Sequence, residues 1–401
     1  MLDVKLKEEL KKKFYNELTK DILPFWMNNT VDSEDGGFYG LIMDDMEIKK
    51  DGPKGLVLCS RILWTFSTAY RVLREDKYLK IAERAYEYLI KYFWDKEYSG
   101  AYWMLDYKGI PIDTKKQIYG EAFAIYGLSE FYRATKNKGA LDKAIELFRT
   151  LEKYSYDKDL KGYFESFTRE WELSSDMRLL ENDLNSKKTM NTHLHVVEAY
   201  TNLYRVWKDE EMRKSLKGII EVILKHIIDN NTYHFKLYFD DEWNSKADII
   251  SYGHDIEGSW LLLEAAEVLG DEKLIEETRN MAIKMAQATY KEGLDEDGAL
   301  TNESTSKGVI DGSKTWWVEA EAVVGFFNAY QLTGKEYFIE ASLNAWRFID
   351  ENIIDKVNGE WFRKVTRDRK KIDGMAKVDP WKCPYHNSRM CFEIMERLGK
   401  V

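Results

Sequence analysis

DSEDGGFYG, residues 32–40, is an acidic turn that carries glycine and runs directly into aromatic residues. Five further segments repeat its form: WDKEYSGAYW at 94–103, YDKDLKGYFES at 156–166, NNTYHFKLYFD at 230–240, LDEDGALTNE at 294–303 and DKVNGEWFRK at 355–364. With Gly36, Gly100, Gly162, His234, Gly298 and Gly359 as equivalent points, the intervals are 64, 62, 72, 64 and 61 residues. The chain therefore divides into six units, and the fourth lacks the glycine. Between the turns, apolar residues recur at three and four positions, as from Ile81 to Phe93 and from Leu141 to Leu151. With only five prolines in 401 residues to interrupt it, this period is helical.

Each unit has room for two helices of different kinds. Those near 3–20, 76–93, 139–153, 209–228, 272–289 and 335–352 have one charged face and are expected outside. Those near 59–74, 116–134, 190–207, 254–268, 315–333 and 385–398 are apolar or small on nearly every face and are expected inside. Six parallel inner helices, each alternating with an antiparallel outer one, describe an all-α (α/α)6 barrel with short β-hairpin-like turns. We expect residues 1–401 to form one catalytic domain, because two stacked helical domains would need a linker that the unbroken repeat does not supply.

Composition narrows the partners. The chain is 44% hydrophobic and 14% aromatic, enough for a large core, so disorder is excluded for most of it. Its net charge of −10 argues against nucleic acid and against an anionic membrane surface, leaving a small molecule as the expected partner. Met1 to Asp21 is too charged for the apolar core of a signal peptide, and no apolar run is long enough to span a bilayer; the expected location is cytoplasmic. Cys59, Cys383 and Cys391 have no metal-binding spacing and read as free thiols.

Parallel inner helices would open their positive N-termini at one rim, which is where a site is expected. Polar and aromatic residues crowd those first turns: Arg61 in CSRILW, Tyr119 in KQIYGEAF, and Asn191, His193 and His195 in MNTHLH. SYGHDIEGSW adds His254 and Glu257, KTWWVEAE adds Trp316, Trp317 and Glu319, and WKCPYHN adds His386. His193 and His195 face opposite sides of a helix, so only one enters the cavity. His195, four residues from Asn191, is assigned to it, and His193 to packing or a backbone hydrogen bond. His226 and His234 lie in an outer helix and a turn and read as structural. His254 and Glu257, three apart, share a face on which the carboxylate can tune the ring. Two imidazoles, His254 and His386, on different walls suit proton transfer at two faces of a substrate. Trp103, Trp316, Trp317, Trp361 and Trp381 offer stacking faces for sugar C–H groups. No metal is expected, since HLH has the wrong helical spacing and H-E-x-x-H is absent; no phosphate-cradling glycine motif or serine-nucleophile elbow is found either.

KTMNTHLHVVEAYTNLYRVW, SYGHDIEGSWLLLEAA, WWVEAEAVVGFFNAY and WKCPYHNSRMC, together with DILPFW and DGGFYG, resemble the motifs of the N-acylglucosamine 2-epimerase family. The resemblance covers essentially the whole chain. It implies an (α/α)6 barrel and a cofactor-independent epimerase whose acid/base histidines match His254 and His386. Arg61, Tyr119, Asn191, His195, Glu257 and Trp381 fall on positions that resemble the family's sugar-binding or supporting residues. One departure is Glu121 in GEAF, where related sequences often carry glutamine. Within the family the resemblance favours 2-epimerisation at the reducing end of β-1,4-linked disaccharides such as cellobiose and lactose, by C2 deprotonation and reprotonation through an enediolate. The alternatives are epimerisation of acylated glucosamine, aldose–ketose isomerisation, a glycoside hydrolase using two of Asp255, Glu257, Glu319 and Glu321, and a non-catalytic sugar-binding module.

Overall fold

The structure is a computed structural model and describes residues 3–399; the ends of the expected 1–401 span, residues 1–2 and 400–401, lie outside the described residues. In chain order its helices are α1 (Val4–Asn16), α2 (Leu23–Asn29), α3 (Leu56–Leu73), α4 (Asp76–Tyr88), α5 (Ile118–Thr135), α6 (Lys138–Tyr154), α7 (Met190–Val206), α8 (Glu210–Val222), α9 (Tyr252–Leu269), α10 (Glu272–Glu292), α11 (Trp316–Thr333), α12 (Glu336–Phe348) and α13 (Tyr385–Arg397). From α3 to α13 the odd-numbered helices are inner: each packs on the next, and α13 returns to α3 to close the ring. Every outer helix packs on the inner helix before it, and α1 packs on α13. This is the (α/α)6 barrel expected from the repeat.

Burial separates the two sets as their sequences require. In α5, all fourteen residues from Ile118 to Phe131 are buried, charged Glu121 and Glu130 included. Outer α6 buries a single stripe containing Ala140, Ala144, Leu147, Phe148 and Leu151. Inner helices also approach closely where glycine allows it. A Cβ on Gly127 would meet the Ser60 carbonyl oxygen at 2.7 Å, and one on Gly325 would meet that of Ile256 at 2.6 Å. The first outer helix outruns its expected end at residue 20: a π turn at Glu17–Ile22 carries the chain into α2, and Pro24, which has no N–H to donate, follows directly on that turn. No helix among the described residues is long and apolar enough to cross a membrane.

The six acidic turns are structural equivalents. Each closes with an antiparallel bridge: Val31 to Phe38, Trp94 to Ala101, Tyr156 to Tyr163, Ile228 to Phe235, Leu294 to Leu300 and Ile354 to Trp361. Two-residue strands then stitch one unit to the next, as where Lys116–Gln117 pairs with Ser166–Phe167. The last unit joins the first through Ile42 and Val378. In five units a buried lysine enters the turn and binds its aspartate: Lys54 to Asp32 (2.7 Å), Lys116 to Asp95 (3.0 Å), Lys188 to Asp157 (2.7 Å), Lys314 to Asp295 (3.1 Å) and Lys377 to Asp355 (2.6 Å). The fourth unit has Ile250 in the lysine's place. There His234 stands where other turns have glycine, Tyr233 takes the left-handed conformation (φ 65°), and the His234 ring donates to Asp255 at 2.7 Å. This turn is thus tied to α9 by its own imidazole on a helix carboxylate, while its aspartate, Asp229, accepts from the backbone N–H groups of Asn231 and Thr232.

These pairs make a stability prediction. Lys188→Met leaves the Asp157 carboxylate without its buried cation and should cost about 3–5 kcal/mol in chemical denaturation. The double variant Lys188→Met/Asp157→Asn removes the stranded charge and should recover part of that loss.

Candidate functional site

One register of the repeat builds the site. The sixth residues of the first five inner helices are Arg61, Phe123, His195, Glu257 and Glu321, and Arg389 holds that place in α13 counted from its cap, Pro384. Arg389 donates from one terminal nitrogen to Glu198 and from the other to both Glu257 and Glu321, the last at 2.6 Å. His386 donates Nδ1–H to Glu321 Oε1 at 2.8 Å and lies 4.0 Å from Glu257. His195 donates Nδ1–H to Glu198 at 2.9 Å, and the Tyr385 hydroxyl donates to the same carboxylate. Arg61 donates to the Tyr119 hydroxyl at 2.8 Å and to the Trp381 carbonyl at 3.3 Å, with its guanidinium 4.2 Å from the Phe123 ring centre.

Aromatic contacts join these groups into one wall. The His254 ring lies 4.7 Å from Trp317, and Trp317 lies 5.6 Å from His386, so one indole links the two imidazoles. His195 packs 4.9 Å from Tyr119, Tyr119 5.7 Å from Trp381, and Trp381 5.8 Å from Trp103. Anchoring of Nδ1 in His195 and His386 by carboxylates leaves Nε2 as the free ring nitrogen of each. His254 differs, because its Nδ1 meets the Ser251 hydroxyl at 2.7 Å and that hydroxyl can donate or accept. His254 can therefore carry its proton on either nitrogen.

Electrostatics set the resting protonation. Burial, then the nearby His195, brings His254 down to about 3. Burial, followed by the Arg61 and Arg389 cations, holds His386 well below the usual imidazole range. Both rings are neutral near pH 7. Burial and the neighbouring Glu321 raise Glu257 to about 7, and its Oε2 is buried without a hydrogen-bond partner. Burial alone would raise Glu198, but Arg389 and then His195 bring it down to about 2. One carboxyl of the cluster is thus poised to release a proton while another stays ionised.

Arg61, Tyr119, His195, His254, Glu257, Trp317, Trp381 and His386 are brought together as the sequence suggested. Asn191 occupies in α7 the second position that Tyr119 and Trp317 hold in their helices, and its buried Oδ1 has no partner. Three expectations need correction. Glu257 does not contact His254; it turns to Arg389 and His386, while His254, in the first turn, reaches back to Ser251. Side chains on a helix lean toward its N-terminus, which favours the earlier partner. Trp316 does not join the histidines: its ring lies 5.4 Å from the Arg363 cation and 5.4 Å from that of Lys382, because adjacent helical positions point about 100° apart. Trp361 is fully buried and donates to Glu17, so it is core as well.

The remaining histidines serve structure. His193 donates Nδ1–H to the Thr189 carbonyl and accepts from Tyr163 N–H at 2.9 Å, the backbone role expected of it. His226 stacks on Trp243. Asp255 and Glu319 hold the backbone N–H groups of Phe235 and Leu300, and so are committed to the repeat turns. Sequence reading missed Glu198, Ser251 and Arg389, and named Glu321 only as a possible hydrolase acid. The register would have found two of them, since Glu321 and Arg389 share the helical level of His195.

Among the described residues one cluster, Glu257, Glu321 and His386, has metal-ligand character. The Arg389 guanidinium already bridges its two carboxylates, so a protein cation occupies the position a metal would take. In 15N-histidine NMR at about pH 5.5, His254 and His386 should remain neutral. His234, raised by Asp255 and Glu292 against the effect of burial, should be protonated. A protonated His254 at that pH would contradict the arrangement.

Comparison with known proteins places the whole chain in one family. The family model described as N-acylglucosamine 2-epimerase matches residues 36–388. The chain is 49% identical to a cellobiose 2-epimerase of Bacteroides fragilis, over 97% of this chain and 99% of that protein. It is 42% identical to a cellobiose 2-epimerase of Dictyoglomus turgidum, again over 97% of this chain and 99% of the other. The solved structure of cellobiose 2-epimerase from Bacillus thermoamylovorans superimposes with a TM-score of 0.93 at 42% identity, covering 97% of this chain and all of that one.

Proposed function

The chain belongs to the N-acylglucosamine 2-epimerase family, and from that premise we propose that it interconverts glucose and mannose at the reducing end of β-1,4-linked disaccharides such as cellobiose and lactose, without a cofactor. The observation that carries the reading is the pair of neutral imidazoles, His254 and His386, on either side of Trp317, with the protonatable Glu257 beside one of them. The nearness of the chain to proteins named cellobiose 2-epimerase favours a disaccharide over the family's other sugars. Trp381, beside Tyr119 and Trp103, is assigned to stacking on the sugar next to the reacting one. The thiols of Cys59, Cys383 and Cys391 are buried and unpaired, which supports a reducing, cytoplasmic compartment.

The resting protonation states close a proton ledger. A cyclic aldose must open before its C2 hydrogen becomes acidic. Glu257 gives its proton to the ring oxygen while one imidazole takes the proton of the anomeric hydroxyl, so ring opening itself creates the imidazolium. The other imidazole then removes the C2 hydrogen, and the C1 oxygen carries the charge of an enediolate. Arg61, Tyr119 and the positive ends of the inner helices stabilise that oxygen in a site shielded from water. The imidazolium returns its proton to the opposite face of C2. Ring closure restores Glu257 and the second imidazole, leaving the enzyme as it began. The ability of His254 to hold a proton on either nitrogen suits both directions.

The test is epimerisation of cellobiose in D2O with identification of the product. Deuterium at C2 with total disaccharide conserved is the expected result; released monosaccharide would indicate hydrolysis, and a C2 epimer without solvent deuterium would count against the two-imidazole scheme. His254→Ala and His386→Ala should each lower the rate by about 10²–10⁴ while His226→Ala stays near wild type.

The same ledger fixes the pH profile. Glu257 must be protonated, and its raised pKa keeps it so below about 7, so kcat/KM should fall as pH rises beyond that value. The imidazoles must be neutral, and their depressed pKa keeps them so well below the ordinary imidazole value of about 6.5. A rate that instead climbs through about pH 6.5 would reveal an ordinary exposed histidine as the base.

A further inference from the structure

Glu198 has two neighbourhoods. On the sugar side it accepts from His195, Tyr385 and Arg389. On the other side it lines a separate cavity of about 120 Å³ between the inner helices. Trp64, Tyr126 and Trp260 stand at the helical level of Glu198 and line this cavity beside it. Its far walls include Arg71, Arg133 and Glu396, whose side chains are 25%, 26% and 52% exposed, so it leads toward solvent at the mouth opposite the rim. Thr68 on its wall has a buried hydroxyl with no hydrogen-bond partner. A polar space of this size accommodates several waters, each taking roughly 30 Å³ in the liquid.

We propose that His195 and Glu198 form a proton-exchange relay between the sugar site and this lower cavity, giving the site a path to solvent through the floor of the barrel while a sugar fills the rim. The inference rests on the epimerase reading, in which ring opening and C2 transfer move protons among oxygens and imidazoles beneath a bound sugar. In the relay, His195 Nε2 accepts a proton from a sugar hydroxyl, Nδ1–H passes to Glu198 Oε2, and Glu198 releases it to cavity water. Reversal delivers a proton inward. Each transfer breaks one N–H or O–H bond and forms another, with no other reactant. Because Arg389 holds Glu198 ionised, the proton resides on the carboxylate only in passing. Glu198 thereby also fixes which nitrogen His195 presents to the sugar.

The experiment follows hydrogen exchange of the His195 Nδ1–H by NMR in 15N-histidine-labelled protein, with the rim saturated by the alditol of cellobiose, which has no carbonyl and does not turn over. In wild type, filling the rim should slow exchange less than about twofold. Thr68→Leu, which fills the cavity from its wall, and Glu198→Gln, which can accept but not pass on a proton, should each slow it by about tenfold or more. The His193 Nδ1–H, bonded to the Thr189 carbonyl, should be unchanged in both. Thr201→Leu on another wall replaces Thr68→Leu if that variant fails to fold. Exchange blocked by the alditol alone, or indifferent to the leucine substitution, would overturn the relay. Failure of the wild type to epimerise cellobiose would overturn the proposed function instead, and is distinguishable because the exchange measurement involves no turnover.

Discussion

A single guanidinium holds the centre of this barrel. Arg389 is almost wholly buried and binds Glu198, Glu257 and Glu321, three carboxylates contributed by three different inner helices. Burial of that much charge is tolerable only where each group has partners. Three acids around one cation cannot all be ionised without a residual negative charge, and burial raises the pKa of Glu257 and Glu321 while Glu198 remains ionised. The same cation helps to keep His386 neutral. The acid and base assignments of the site therefore descend from where Arg389 is placed, and its place follows from the register of α13 within the ring.

Repetition explains how such a cluster assembles. Each unit anchors its acidic turn by a buried lysine or, once, a histidine, and this fixes the height at which the next inner helix begins. Once the heights agree, residues at equal positions along the inner helices face one another across the barrel. Four units use a side chain at the fourth position of the inner helix to secure a neighbouring turn; Glu121, His193, Asp255 and Glu319 all accept a backbone N–H. The sixth position is free of that duty and supplies Arg61, His195, Glu257, Glu321 and Arg389 to the cluster around the two imidazoles. This division accounts for the ambiguity of the buried acids, since Glu319 and Glu321 are two residues apart yet have unrelated tasks.

The fold was legible because its signal is periodic and long: six turns at nearly equal spacing determine the number of helices, and the contrast of apolar and amphipathic segments determines which lie inside. The histidines were legible from their position at helix starts, and His193 from the helical angle that separates it from His195. Other features depend on geometry that a linear pattern does not contain. The partner of His254 is decided by the backward lean of a first-turn side chain, so the i,i+3 pairing with Glu257 fails. Trp316 and Trp317 are indistinguishable by composition, and only the helical rotation sends one to Lys382 and the other to the imidazoles. Glu198 and Arg389 are ordinary in sequence, and their significance arises from contacts 191 residues apart.

The repeated architecture also produces an asymmetric pair from equivalent helices. His254 and His386 both occupy the first turn of an inner helix, yet one is held by a serine and the other by a glutamate. A carboxylate fixes the tautomer of its imidazole, presenting Nε2 as a base. A hydroxyl leaves the tautomer free, so that imidazole can serve as base or donor according to the proton it last received. A reaction that inverts one carbon and must run in both directions needs two faces served by groups of similar strength, and equal strength alone would not say where the protons begin. In the proposed scheme the unequal partners supply that starting condition, with Glu257, raised by burial and by Glu321, as the reservoir.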